Sequence, residues 1–118
     1  MKNKNFLQSL KCSFNGIVAY FKSEKNAKIE LVFAILAFAL GITFKLSKTE
    51  FAILSITIFF VIVAEMINTG LEKTLDLIDK DFNKDIKFIK DLSAGFVLLS
   101  AINSIIIFYL LFVDKILR

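Results

Sequence analysis

Histidine and proline are absent from this 118-residue chain, cysteine occurs once and glycine only four times. The missing histidine removes imidazole acid–base chemistry, serine–histidine triads and histidine-held metal sites together. A single thiol, Cys12, forbids an internal disulfide and says nothing about redox compartment. The glycines, at 16, 41, 70 and 95, are too scattered for a glycine-rich phosphate cradle. Any nucleotide chemistry therefore falls to carboxylates, lysines and helix ends. Residues 1–28 hold no apolar core long enough for a signal peptide, so no cleaved leader is expected.

Apolar residues dominate what is present. They make up 57% of the chain and include 14 Phe, too many for an ordinary soluble core at this length. The fold expected is an all-α integral membrane protein forming a single domain over 1–118. Phe6, Leu7, Leu10, Phe14, Ile17, Val18 and Phe21 recur at three- and four-residue steps, opposite Lys4, Gln8, Lys11, Asn15 and Lys22. That pattern predicts an amphipathic helix over about 5–22. It suits the plane of the membrane surface, and packing onto its own bundle is the plainer alternative. Three apolar runs follow. The first, about 29–46, is borderline in length; the second, 51–71, carries only Glu65 as a charge; the third, 92–113, carries none. Ser47–Glu50 predicts a tight turn, and the polar segment 72–91 is expected to continue the second helix before turning near Asp81–Asp85.

Lysine placement sets the expected orientation. Lys2, Lys4, Lys11, Lys22, Lys25 and Lys28, with Lys73, Lys80, Lys84, Lys87 and Lys90, share one side, against Lys45, Lys48, Lys115 and Arg118 on the other. The positive-inside rule then puts the N-terminus and the 72–91 segment in the cytoplasm.

The segment Glu65–Asp76 is the least ordinary part of the chain. At about 100° per residue, Glu65, Asn68, Glu72 and Asp76 fall within a sector of roughly 80°, so three acids and an amide share one helix face. A carboxylate within an apolar span reads by default as a functional group turned to protein or water. Glu65 and Glu72 stand roughly 10 Å apart along the axis, too far to bind one metal ion together. Glu72, nearer the aqueous boundary, can hold Mg²⁺ with an acid from another helix, and Glu24 is the only acid in residues 1–28. Glu65 lies among Val63, Ala64, Met66 and Ile67, where loss of water makes a carboxylate a better base, at the depth of a lipid headgroup. Lys90 and Asp91 are expected to open the third helix, whose free N–H groups would join Lys90 in receiving phosphate. Plainer readings exist for most of these residues. Glu24 with Lys28, and Glu72 with Lys73, can be solvated helix surface; Lys80 to Lys90 can be a basic face; Asn68 can bond a neighbouring helix; Cys12 can simply pack.

Taken together, these blocks resemble the small prokaryotic integral-membrane lipid kinases, the diacylglycerol kinases and related undecaprenol kinases, over about Phe6 to Asp114. Glu65-Met66-Ile67-Asn68-Thr69-Gly70-Leu71-Glu72-Lys73-Thr74-Leu75-Asp76 is similar to the family signature of Glu, two apolar residues, Asn, Ser/Thr, Ala, an apolar residue, Glu, three variable positions and Asp. Lys90-Asp91-Leu92-Ser93-Ala94-Gly95 is similar to the Lys-Asp-x-x-Ala-Gly entry to the third span, and Glu24-Lys25-Asn26-Ala27-Lys28 to the Glu-x-Asn-x-basic pattern before the first. Gly16 stands where the family places a glycine upstream.

The resemblance implies a homotrimer of three-span subunits with shared active sites, Glu65 as the base toward the lipid hydroxyl, and Glu24 and Glu72 as ligands of the Mg²⁺ of Mg-ATP. It further implies that Asn68, Lys90 and Asp91 position nucleotide. Asn83 and Cys12 stand where relatives often have His and Tyr near the nucleotide, and Gly70 replaces the usual Ala. The expected activity is transfer of the γ-phosphoryl group of ATP to a membrane lipid alcohol at the cytoplasmic face of a bacterial membrane. Asn68-Thr69 and the stretch from Leu99 to Phe112 look more like the undecaprenol kinases. The bilayer, the lipid alcohol and ATP are the expected partners, with no nucleic acid. A small multidrug-type transporter using Glu65, or an accessory subunit, are the competing expectations.

Overall fold

The computed structural model describes residues 5–78 and 83–117, and every regular element among them is a helix. Helix α1 spans Phe6–Ser23, α2 Lys25–Thr43, α3 Lys48–Ile78 and α4 Lys84–Phe108. A π-helical turn, Tyr109–Val113, carries α4 on into α5, Asp114–Leu117. Three helical stretches, Lys25–Thr43, Lys48–Ile78 and Lys84–Leu117, are long and apolar enough to cross a membrane. The expected all-α architecture, three spans after an amphipathic helix, is therefore the observed one. The chain divides into two compact units, residues 1–35 and 36–118.

In the first unit, Asn5 caps α1 by accepting a bond from the Gln8 backbone N–H at 2.8 Å. The Phe6, Leu7, Leu10, Phe14, Ile17 and Val18 side chains of α1 are exposed, as an interfacial apolar face requires. Only one non-helical residue separates α1 from α2. Glu24 takes an extended conformation (φ −104°, ψ 123°), donates its N–H to the Tyr20 carbonyl at 3.0 Å and accepts from the Lys28 N–H at 3.4 Å. Across this joint the Tyr20 hydroxyl donates to Glu30 Oε1 at 3.1 Å, with Tyr20 and Ala27 both buried.

The second unit begins within α2, which stops three residues before the expected boundary at Leu46. Its end is a Schellman motif: the Lys45 N–H donates to the Ile42 carbonyl at 3.2 Å and the Leu46 N–H to the Gly41 carbonyl at 3.0 Å. That closure needs a left-handed residue, and Lys45 supplies it at φ 57° without being glycine. At Gly41 it is packing that leaves little room for a side chain. A Cβ there would stand 2.8 Å from Phe51 Cε1 and 3.1 Å from Leu46 Cδ1. The next helix starts at once. The Ser47 N–H donates to Glu50 Oε1 at 2.8 Å and the Glu50 N–H to Ser47 Oγ at 3.1 Å, a reciprocal capping box, and Lys115 Nζ lies 3.3 Å from the same carboxylate oxygen.

Helices α3 and α4 form an antiparallel pair, since Asn68 meets Ser93 while Asp76 meets Lys90. Leu54, Ile58, Ala64 and Leu75 are buried along α3, and Ser93 and Ser100 along α4. Beyond them the π-helical turn brings Leu111 and Phe112 inward, and the Phe112 ring meets those of Phe44 and Phe108 at 6.3 and 6.0 Å between centroids. The start of α4 corrects one expectation. The helix opens at Lys84, well before its apolar run, because Asn83 caps it by accepting from the Asp85 and Ile86 N–H groups at 2.8 and 3.3 Å. Lys90 and Asp91 therefore sit inside the helix, where backbone N–H groups are already bonded. As expected, α3 runs on past its apolar run, to Ile78. Lys80 and residues 81–82 of the expected turn lie outside the described residues.

Candidate active site

The acid-bearing face of α3 acquires its geometry from α4. Asn68 is buried, and its Oδ1 accepts a 2.7 Å hydrogen bond from Ser93 Oγ, which is 1% exposed. The Asn68 Nδ2 donates in turn to Glu72 Oε1 at 3.4 Å, one helical turn on and at an exposed position. A further turn along, Asp76 Oδ1 pairs with Lys90 Nζ at 2.7 Å. Of the stripe expected from sequence, Asn68 and Glu72 are thus linked to Ser93, and Asp76 separately to Lys90, so that a polar seam runs along this face of α3. At the apolar end Glu65 is half-buried, beside the buried Ala64. It lies three residues from Asn68, roughly 4.5 Å along the helix axis.

The remaining expected residues are placed differently. Lys90 and Asp91 are both engaged within the chain, Lys90 with Asp76 and Asp91 with Lys87 Nζ at 2.6 Å. These pairs are well exposed, with side-chain accessibilities of 38% and 56% for the first and 61% and 65% for the second. An exposed pair contributes about 0–1 kcal/mol, little enough for Lys90 to exchange Asp76 for a stronger anion. Asn83 is exposed and directs its side-chain oxygen to its own helix end. Cys12, half-buried on α1, and Glu24, at the α1–α2 joint, belong to the first unit and are described there alone.

Among the described residues, no three His, Cys, Asp or Glu side chains gather closely enough to hold a metal ion by themselves. The donors present still suit Mg²⁺. That ion prefers hard oxygen ligands and is commonly held by one or two carboxylates, with water and phosphate completing its shell. Glu72 offers such a group, exposed and held at one oxygen by an amide. Sequence reasoning missed Ser93. A serine in the third run reads as helix packing, and nothing local identifies Asn68, 25 positions away, as its partner.

A diacylglycerol kinase of Synechocystis sp. is 29% identical over 104 residues, which are 87% of this chain and 59% of the relative, so the chain spans somewhat more than half of that protein's length. An undecaprenol kinase of Bacillus subtilis is 31% identical over 110 residues, covering 93% of this chain and 89% of the relative. The prokaryotic diacylglycerol kinase family model matches residues 11–112, a stretch that holds the capped starts of α3 and α4, the α3 seam and its α4 partners, and the chain belongs to that family.

Proposed function

We propose that this chain is an ATP-dependent lipid kinase that phosphorylates a membrane alcohol at the cytoplasmic face, undecaprenol in preference to diacylglycerol. The observation that carries the reading is the seam on α3. A carboxylate at its apolar end, Glu65, is separated by a buried amide from an exposed carboxylate, Glu72. One end suits a lipid hydroxyl and the other a hydrated cation with phosphates. Glu65 takes the proton of the acceptor hydroxyl as its oxygen bonds to the γ-phosphorus of ATP. The bond between that phosphorus and the bridging oxygen breaks, and ADP leaves with the electron pair.

Glu72 and Glu24 are the residues that would hold Mg²⁺, which supplies charge neutralisation on the phosphates when bound. Lys90 releases Asp76 to meet a phosphate oxygen, Asp91 and Asn68 fix the nucleotide's approach, and Asn83 and Cys12 border it. The active unit is a homotrimer with the N-terminus in the cytoplasm. Family membership argues against the transporter reading, and no geometry on α3 favours it. The preference for undecaprenol rests on the likeness of Asn68-Thr69 and of the third span to kinases acting on that lipid. The test is incubation of the purified protein in lipid micelles with Mg-ATP and each alcohol in turn. Transfer to undecaprenol faster than to diacylglycerol is expected. No transfer to either overturns the kinase reading, and a faster rate with diacylglycerol overturns the acceptor preference.

A further inference from the structure

Helix α4 carries three serines whose hydroxyl bonds are defined, and one of them behaves differently. Ser100 Oγ donates to the Val97 carbonyl at 2.8 Å and Ser104 Oγ to the Ala101 carbonyl at 2.7 Å, the ordinary local solution for a serine inside a helix. Ser93 forgoes that bond and donates across to Asn68 Oδ1 on α3. The direction of this contact follows from its far end. A carboxylate of Glu72 can only accept, so Asn68 must present Nδ2 to it; Oδ1 is then turned to Ser93, whose hydroxyl must donate. Hydroxyl, amide and carboxylate thus form a one-way chain of donors. Its first link is buried and its last is exposed.

We propose that Ser93 is a positioning residue that holds the Asn68 amide in a single orientation, so that Asn68 steadies the Glu72 carboxylate for a divalent cation. Two consequences follow. With its oxygen committed to Ser93, Asn68 faces the site as a hydrogen-bond donor and not as a metal ligand. Without the Ser93 hydroxyl the amide can turn over, which sets its oxygen against the Glu72 carboxylate and disorders the ligand. The cost falls on cation affinity rather than on the chemical step, because the chain of bonds ends on the Glu72 carboxylate. The inference rests on the kinase reading only in identifying the cation as that of Mg-ATP.

The test compares the full-length protein in lipid micelles with Ser93→Ala and Ser93→Thr, using Mn²⁺ with ADP as a paramagnetic probe of cation binding. Loss of one intramolecular hydrogen bond predicts Mn²⁺ binding weaker by about two- to tenfold in Ser93→Ala, with Ser93→Thr, which keeps the hydroxyl, within about twofold of the unmodified protein. Phosphoryl transfer by Ser93→Ala should show a raised Mg²⁺ half-saturation with a nearly unchanged maximal rate. Should the variants fail to fold, the Asn68 side-chain amide resonance of the unmodified protein gives the answer: it must shift when Mg²⁺ is added with ADP. Equal Mn²⁺ affinity in Ser93→Ala, failure of Ser93→Thr to restore binding, or an amide resonance indifferent to the cation overturns the proposal. Absence of lipid phosphorylation in the unmodified protein overturns the kinase reading alone, since neither the Mn²⁺ signal nor the amide resonance depends on turnover.

Discussion

Replacing Glu65 by Gln separates two roles that a carboxylate at this position could have, because they differ in size. If Glu65 is the base, its loss removes general-base catalysis, worth about 10²- to 10⁴-fold in rate. If it acts only as a negative charge near the cation, its effect follows from distance. Glu65 and Glu72 are about 10 Å apart along α3, and Coulomb's law in a water-like medium gives roughly 0.8 kcal/mol between a unit charge and a divalent cation at that separation, about a fourfold change in affinity. Glu72 is exposed, so the water-like limit is the relevant one. Substitution by Gln preserves the shape of this half-buried side chain and removes its charge and its basicity.

The assay is initial rate against Mg²⁺ at saturating ATP and lipid, with Mn²⁺ binding measured in parallel. The expected result is a maximal rate lower by about 10²-fold or more, with cation affinity changed by no more than about fourfold. A variant that regains a rate within about tenfold of the unmodified protein once Mg²⁺ is raised would refute Glu65 as the base.

Glu72→Gln and Glu24→Gln should each raise the Mg²⁺ requirement several-fold, and an unchanged Mg²⁺ titration returns both to ordinary helix surface. Asn83→Ala should destabilise the start of α4 by about 0.5–2 kcal/mol, measured by thermal unfolding in detergent, whereas Asn83→Ser keeps the cap; an ATP half-saturation raised in the folded Ser variant would show that Asn83 also contacts nucleotide. Lys45→Gly should stabilise the protein by about 1 kcal/mol, since the left-handed backbone at φ 57° costs a lysine that much. Mixed oligomers of inactive Glu65→Gln and Glu72→Gln subunits should recover activity if one site draws these residues from different subunits, and recovery at no mixing ratio argues that each subunit supplies both.

The parts legible in the sequence were those with a local period or cap signal. Three apolar runs, an amphipathic N-terminal helix and the acid face of α3 follow from 100° steps along the chain and from run length alone. Ser47-Lys48-Thr49-Glu50 also has the spacing of a capping box, although it reads simply as a tight turn until the two reciprocal bonds are seen. The early start of α4 was missed because hydrophobicity begins only at Leu92, while the cap residue, Asn83, lies nine positions upstream in polar sequence. The end of α2 was missed for the opposite reason. A helix stop of this kind is normally marked by glycine, and here the left-handed position is held by Lys45.

The α3–α4 contacts could not be read locally, because the forces that set them are not periodic. In lipid, apolar side chains gain little by meeting one another rather than acyl chains, so burial alone does not fix how two spans slide along each other. Most large apolar residues of α4 remain exposed within the chain, among them Leu98, Leu99, Ile105 and Ile106. What distinguishes one register from its neighbours is chiefly the buried polar contact of Ser93 with Asn68. Sliding α4 by a turn would leave the Ser93 hydroxyl and Asn68 amide without each other in an environment where an unmet polar group is costly. The buried bond from Ser93 to Asn68 is continued by the Asn68 amide to the Glu72 carboxylate, so in this helix pair packing and the proposed cation site share side chains. A substitution at Ser93 or Asn68 should therefore couple the two, lowering stability and cation affinity together, whereas one at Lys90, whose pair with Asp76 is exposed, should act on nucleotide handling with little effect on folding.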